Sequence, residues 1–170
     1  MRKIPRMPAG LQQLDNGCGV IAAWMALHAY RKRVAWRRLA RLCRHAKGTG
    51  TFAISVAVAL KKCGLPVTFC TDPDPDQQPK EMVGYRAAKK LGIPIRPSLE
   101  LRELREALRE KKTVIVLFNA RNGDGHFSPV LSIGSATISF SHGNEPILSL
   151  RVFRSRRRAP GVCRQAIIAG

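Results

Sequence analysis

The hydrophobic pattern of the chain changes its period once, near Lys112. Before that point apolar residues recur mostly at helical spacing, and after it they alternate as they do in strands. The pattern predicts helices over 18–33, 36–46, 51–63, 80–91 and 99–111, and strands over 66–70, 113–118, 126–133, 136–141, 147–153 and 162–169. Helices followed by strands with short turns between them are typical of an α+β domain with a largely antiparallel sheet.

The length of the chain limits how many such units it can form. A chain of 170 residues fits one hydrophobic core, and 45% apolar residues are enough to build it. We therefore expect a single domain over 1–170, and the composition excludes disordered and fibrous proteins.

The five cysteines bear on metal sites and on the cellular compartment. They are scattered without CxxC pairs or zinc-type Cys/His spacing, so neither a disulfide framework nor a structural zinc is expected, and no cofactor is predicted. The first ten residues lack the apolar region of a signal peptide, and no stretch is long and apolar enough for a membrane span. We expect a soluble, cytoplasmic protein without membrane contact, and export by a leaderless route stays open.

The charge of the chain is strongly unbalanced. Thirty Lys and Arg against eleven Asp and Glu give a net charge of +19. Arginines cluster within 31–44 and again within 154–158, and such clusters can bind phosphate backbones without reading sequence. The alternative is a solvated basic surface with incidental affinity for polyanions.

A cysteine at a predicted helix start is the strongest sign of chemistry. Asn16 and Gly17 supply turn residues, and Cys18 follows them as the first residue of a helix, where the helix dipole favours a thiolate. Gln12 stands six residues earlier, from where its amide can fold back to donate to an oxyanion. The alternative is that Cys18 is a small buried apolar residue.

A histidine at a predicted strand start is the second sign. His126 follows the glycine-rich segment 122–125, so it lies at the rim of the sheet, where its ring can face a helix end and act as a general base. Alternatively, its ring caps the turn. A cysteine and a histidine far apart in sequence, one on a helix start and one on a strand start, are the arrangement that a cysteine hydrolase needs.

These two segments resemble the papain-like cysteine peptidase superfamily. The spacing of Gln12 and Cys18-Gly19, the helix that follows, and Gly125-His126-Phe127 are most similar to the bacteriocin-processing double-glycine peptidases of bacteria. The histidine segment 123–129 is also similar to that of phytochelatin synthases. The resemblance implies a papain-like fold, with N-terminal helices packed on a C-terminal antiparallel sheet.

The resemblance also implies roles for individual residues. Cys18 would be the nucleophile, His126 the base and then the acid, and Gln12 an oxyanion-hole donor. The family's third member orients the histidine from the end of the next strand, where this sequence has no acid at the expected place. His142 matches that place by position and Asn144 by chemistry, and both are kept as candidates.

Two hypotheses of function follow. The first is a cysteine peptidase or amide hydrolase acting on a peptide or protein substrate, a class that includes peptidoglycan amidases and phytochelatin-type transpeptidases. The second is a basic binding module of the same fold that docks on nucleic acid or another polyanion and is catalytically weak or inactive. The sequence does not predict the oligomeric state.

Overall fold

Two faces of one sheet organise the structure, a computed structural model that describes residues 6–170. The helices of this part of the chain are α1 (Ala9–Gln12), α2 (Cys18–Ala29), α3 (Trp36–Leu42), α4 (Ala53–Lys62), α5 (Pro79–Lys90), α6 (Leu101–Arg109) and α7 (Leu150–Arg157). Its strands are β1 (Val67–Thr71), β2 (Ile95–Pro97), β3 (Thr113–Asn119), β4 (Gly125–Ile133), β5 (Thr137–Phe140), β6 (Ile147–Ser149) and β7 (Ala166–Ala169).

The strands form one sheet in the order β2-β1-β7-β3-β4-β5-β6. Only β1 and β2 are parallel, and every other neighbouring pair is antiparallel. The last strand, β7, lies between β1 and β3. It therefore connects β1 and β2, which precede Lys112 in sequence, with β3 to β6, which follow it. The prediction of a mixed, largely antiparallel domain is therefore confirmed.

Alternation along β3 shows how the core is divided. Ile115 and Leu117 pack in one apolar cluster with α2, α3, α4 and α5, whereas Val114, Val116 and Phe118 pack in a second cluster with α6 and α7. Because successive strand residues point to opposite faces, the two clusters lie on opposite sides of the sheet. Helices thus cover both faces: α2 to α5 pack on one face, as expected for the N-terminal helices, and α6 and α7 cover the other.

Two predicted strands differ from the structure. The strand expected over 147–153 ends at Ser149, whose Oγ caps α7 by accepting a hydrogen bond from the Val152 backbone N–H at 3.3 Å. The strand expected over 162–169 begins only at Ala166, because Cys163 and Arg164 have left-handed backbone conformations, with φ of 49° and 44°.

The helices of the described part of the chain are short, with at most 12 residues in α2 and α5. Within residues 6–170, no helix combines the length and the apolar character needed to cross a bilayer.

Candidate functional site

A tight turn places Cys18 at the start of α2. The Gly17 N–H donates to the Leu14 carbonyl at 3.0 Å, and a β-carbon at Gly17 would lie 2.8 Å from that carbonyl oxygen. The Asp15 carboxylate accepts from the Gly48 N–H at 2.9 Å and ties the turn to the loop after α3. The predicted helix start at Cys18 is confirmed, and the turn before it has little freedom to move.

The first half of β4 provides the surface on which the start of α2 sits. β4 pairs with β3 from Gly125 onward but with β5 only from Val130 onward. The edge opposite β3 is therefore open near His126 and Phe127. α2 packs on β4, and the Phe127 backbone lies near enough to the Cys18 thiol to lower its pKa. This contact places the thiol beside the residue that follows His126.

Aromatic contacts and one hydrogen bond hold the His126 ring. Its centroid lies 5.6 Å from that of Phe118 in an edge-on contact and 5.5 Å from that of His142 in a stacked contact. His126 Nε2 lies 3.3 Å from the His142 backbone carbonyl oxygen. A carbonyl oxygen can only accept, so Nε2 carries the ring proton in this hydrogen bond and Nδ1 is the unprotonated nitrogen of the neutral ring.

The acceptor carbonyl is itself held by a buried serine. Ser128 lies two residues after His126, with its side chain fully buried. Its Oγ donates to the His142 carbonyl oxygen at 2.7 Å and accepts from the His142 N–H at 3.2 Å. Because this pair of hydrogen bonds fixes the His142 peptide groups, it also fixes the position of the oxygen that meets the ring.

Gly143 lets the same turn approach the ring closely. Its φ is +117°, and a β-carbon at this position would lie only 2.6 Å from His126 Nε2. Any other residue would therefore be strained in its backbone and would collide with the imidazole. The backbone of the 142–143 turn thus supplies the hydrogen-bond acceptor for His126 Nε2, while the His142 side chain contacts the ring only by stacking.

One cleft of about 760 Å³ gathers the residues singled out from the sequence. Its lining includes Gln12, Cys18, His126, His142 and Asn144. The Gln12 side chain donates to the Met7 carbonyl at 3.1 Å, so its amide is not free. Asn144 is exposed at the cleft, and no hydrogen bond joins it to His126 in the described part of the chain.

Charged groups form another part of the wall. Arg121, Asp124 and Glu145 line the cleft beside His126. Glu145 Oε2 lies 2.5 Å from Arg156 Nη1, and the hydrogen bond from Arg156 holds the pKa of this carboxyl below its usual range. Glu145 is thus an ionised carboxylate that forms an ion pair with Arg156 of α7. It does not donate a proton to the cleft at neutral pH.

Burial acts on the charge of the two central groups. It raises the pKa of the Cys18 thiol, against the lowering effect of the backbone of Phe127 and Gly19. It also lowers the pKa of His126, while the His142 carbonyl acts in the opposite direction. Burial therefore opposes the thiolate that the dipole of α2 favours, and it favours the neutral form of the imidazole.

The contacts of Cys18 and of the possible metal ligands complete the description of the cleft. Over residues 6–170, no hydrogen bond links the Cys18 sulfur directly to the His126 ring. All five cysteines are free thiols, and no group of three His, Cys, Asp or Glu side chains in this range is arranged to hold a metal ion. The cleft thus holds a thiol and an imidazole without a direct hydrogen bond between them in the described part of the chain.

Sequence reasoning missed two residues of this site. Ser128 had a usable signal, since it lies two residues from His126 and therefore on the same face of the strand. Gly143 had a weaker one, as a glycine between the two candidates His142 and Asn144.

No protein-family model matches the chain, and no curated protein matches it either.

Proposed function

We propose that the protein is a papain-like cysteine hydrolase that cleaves amide bonds in a peptide or protein, with Cys18 as nucleophile and His126 as base. The observation that supports this most is that a helix-start cysteine and a strand-start histidine line one cleft, with the histidine Nε2 held by the His142 carbonyl. This hydrogen bond leaves Nδ1 as the nitrogen that can accept the thiol proton.

The proposed reaction begins with proton transfer from Cys18 to His126 Nδ1. The sulfur attacks the substrate carbonyl carbon, forming a C–S bond while the C=O electron pair moves to oxygen. When the tetrahedral intermediate collapses, the C–N bond breaks and Nδ1–H gives its proton to the leaving amine. Water, deprotonated by Nδ1, then attacks the thioester and releases a carboxylic acid and the free thiol.

Two N–H donors are available for the oxyanion of that intermediate. The Cys18 backbone N–H belongs to the first turn of α2, where N–H groups have no partner within the helix. The Gln12 amide is the second donor, and it reaches the oxyanion only after it leaves the Met7 carbonyl. Substrate binding would therefore reorganise the segment between Met7 and Gln12.

The direct test is amine release from a mixture of peptides, followed with an amine-reactive dye. We expect the wild-type protein to release amines and the protein alkylated at Cys18 to release none. Equal release before and after alkylation would contradict the proposal.

The protonation states predict how Cys18 reacts with an alkylating agent. Because burial raises the thiol pKa, alkylation of Cys18 by iodoacetamide should rise steadily with pH through the neutral range, by about tenfold per pH unit while the thiol stays protonated. The measurement is peptide mass spectrometry of Cys18 between pH 5 and 10. A rate that is constant from about pH 5 to 8 would instead indicate a preformed thiolate–imidazolium pair.

The hydrogen bond between the His142 carbonyl and His126 leads to a second prediction. If the His142 carbonyl orients His126, Ser128→Ala should lower kcat/KM by about tenfold or more, since it removes both hydrogen bonds that hold this peptide. Asn144→Ala should change kcat/KM by less than about threefold, in line with most exposed substitutions. As a readout of ring position, Ser128→Ala should also shift the imidazole pKa of His126 measured by NMR.

A matched serine provides the control for this comparison. Ser132 also lies in β4, but its hydroxyl is exposed and hydrogen-bonds Ser139 Oγ at 2.7 Å. Ser132→Ala should leave kcat/KM and the His126 pKa unchanged. A large loss in Asn144→Ala with a small one in Ser128→Ala would show that the Asn144 side chain is the acceptor.

A further inference from the structure

One long segment of the chain carries positive charge without any acid. Between Asp15 and Asp72 the sequence has no Asp or Glu. Six exposed cations lie on α3 and beside it, and we name them the basic face: Arg33, Arg37, Arg38, Arg41, Arg44 and Lys47. None of the six forms an ion pair within residues 6–170.

Like charges at these positions oppose folding of α3. Arg37 and Arg41 are spaced at i and i+4, so they project from the same side of the helix, and Arg44 follows two residues after the helix ends. Repulsion among them is not offset by neighbouring carboxylates, since the segment has none. A cluster that destabilises its own helix in the free protein is relieved when an anionic partner covers it.

The surroundings of the basic face favour phosphates over an acidic protein. A protein partner normally buries an apolar centre ringed by charges. The large apolar side chains exposed in the described part of the chain are Met82, Ile95, Leu131 and Ile147, and none belongs to α3 or to the segments beside it. The face offers positive charge without an exposed large apolar side chain. Positive charge is what binding to a phosphate backbone requires.

The same face lacks a platform for unpaired bases. Trp36 is the aromatic residue of α3, and it is half-buried. Gly10 packs so closely on its ring that a β-carbon added at Gly10 would lie 2.8 Å from it. The Arg37 guanidinium lies over the ring, 5.3 Å from the centroid. Since single-strand binding uses exposed aromatic rings for stacking, this face suits a duplex.

We propose that the basic face binds double-stranded nucleic acid through its phosphates, without sequence preference. The face borders the loop before Cys18, because His45 Nε2 contacts the Asp15 carbonyl oxygen at 2.7 Å and Gly48 N–H donates to the Asp15 carboxylate. A duplex bound there lies beside the candidate cleft. This binding does not depend on the proposed hydrolase activity and is expected with Cys18 replaced.

The test measures binding of a fluorescent 20-base-pair DNA duplex by anisotropy across a range of NaCl concentrations. Each neutralised phosphate contributes a slope of about −0.9 to the plot of log K against log salt, so six contacts predict a slope near −5. The variant R37Q/R41Q/R44Q should reduce the magnitude of the slope by about 2.7, the share of three contacts, and weaken binding at least about tenfold at 0.1 M NaCl.

A matched variant separates the basic face from overall charge. R151Q/R154Q/R158Q also removes three exposed arginines, two from α7 and one directly after it, and α7 packs on the opposite side of the sheet. We expect this variant to bind as wild type does. Equal weakening by both variants, absence of duplex binding, or displacement of the duplex by polyglutamate at equal charge would each overturn the proposal.

Discussion

Replacing His126 with alanine is expected to lower peptide hydrolysis by at least about 100-fold, the contribution of a positioned general base. Without the imidazole, the Cys18 thiol, whose pKa burial raises, loses the base that is proposed to take its proton. The measurement is kcat/KM on a cleaved peptide, with the thermal transition followed by circular dichroism. The thermal transition should remain cooperative, because the ring lies at the cleft and contributes only part of one wall.

His28 provides the matched control for this substitution. It is also a half-buried histidine, it lies on α2, and its Nδ1 is 3.2 Å from the Trp24 carbonyl oxygen. His28→Ala should leave kcat/KM unchanged. Similar losses of activity in the two variants, or loss of the folded state in His126→Ala, would assign His126 a structural role.

Replacing Gly143 with alanine is expected to reduce hydrolysis by about 100-fold as well, although this residue takes no part in the reaction. The new β-carbon would lie 2.6 Å from His126 Nε2, so the ring must move away from the His142 carbonyl. A displacement of about 1 Å in a catalytic group is enough for a loss of this size. The measurement is kcat/KM together with the NMR-derived pKa of His126.

Gly123 separates the displaced ring from backbone strain. Its φ is +88°, it lies between two residues that line the same cleft, and a β-carbon there would meet nothing within 4 Å. Gly123→Ala therefore introduces a comparable backbone strain without touching His126. We expect similar decreases in thermal stability for the two variants and a loss of activity only in Gly143→Ala. Equal activity in both would show that the contact at Gly143 does not position the imidazole.

The parts of the site that were predictable are those with a local chemical signature. The start of α2 follows from the turn residues Asn16 and Gly17 ahead of an apolar helix, and His126 follows a glycine-rich turn into a strand. Both signals depend on neighbours in sequence, and the structure places these elements as expected. That the two side chains share a cleft depends on the open edge of β4, which the sequence pattern does not reveal.

The orienting group illustrates what sequence reasoning could not reach. Comparing His142 with Asn144 assumed that a side chain accepts from His126, whereas the structure presents the His142 carbonyl. Every residue carries a carbonyl, so residue identity does not show which one will be used. The environment of the Cys18 thiol was also out of reach, since the dipole of α2 can be anticipated from sequence but the burial that raises the thiol pKa cannot.

The misassigned strand over 147–153 has a different cause. Leu148, Leu150 and Val152 alternate with other residues, which matches a strand, but Leu150, Phe153 and Arg157 also fall on one face of a helix. The cap at Ser149 and the burial of Phe153 against the second apolar cluster favour the helix. The segment 147–157 contains both periods, and tertiary packing decided between them.

Whether Cys18 breaks amide bonds is tested by comparing the wild-type protein with Cys18→Ala. Each protein is incubated with a proteome-derived peptide library in ¹⁸O-labelled water. Hydrolysis through a Cys18 thioester predicts new peptide termini with the wild-type protein, ¹⁸O in each new carboxyl group, and none of these termini with Cys18→Ala. Identical sets of termini from the two proteins, or no new termini from either, would contradict the assignment of this cleft as a cysteine hydrolase site.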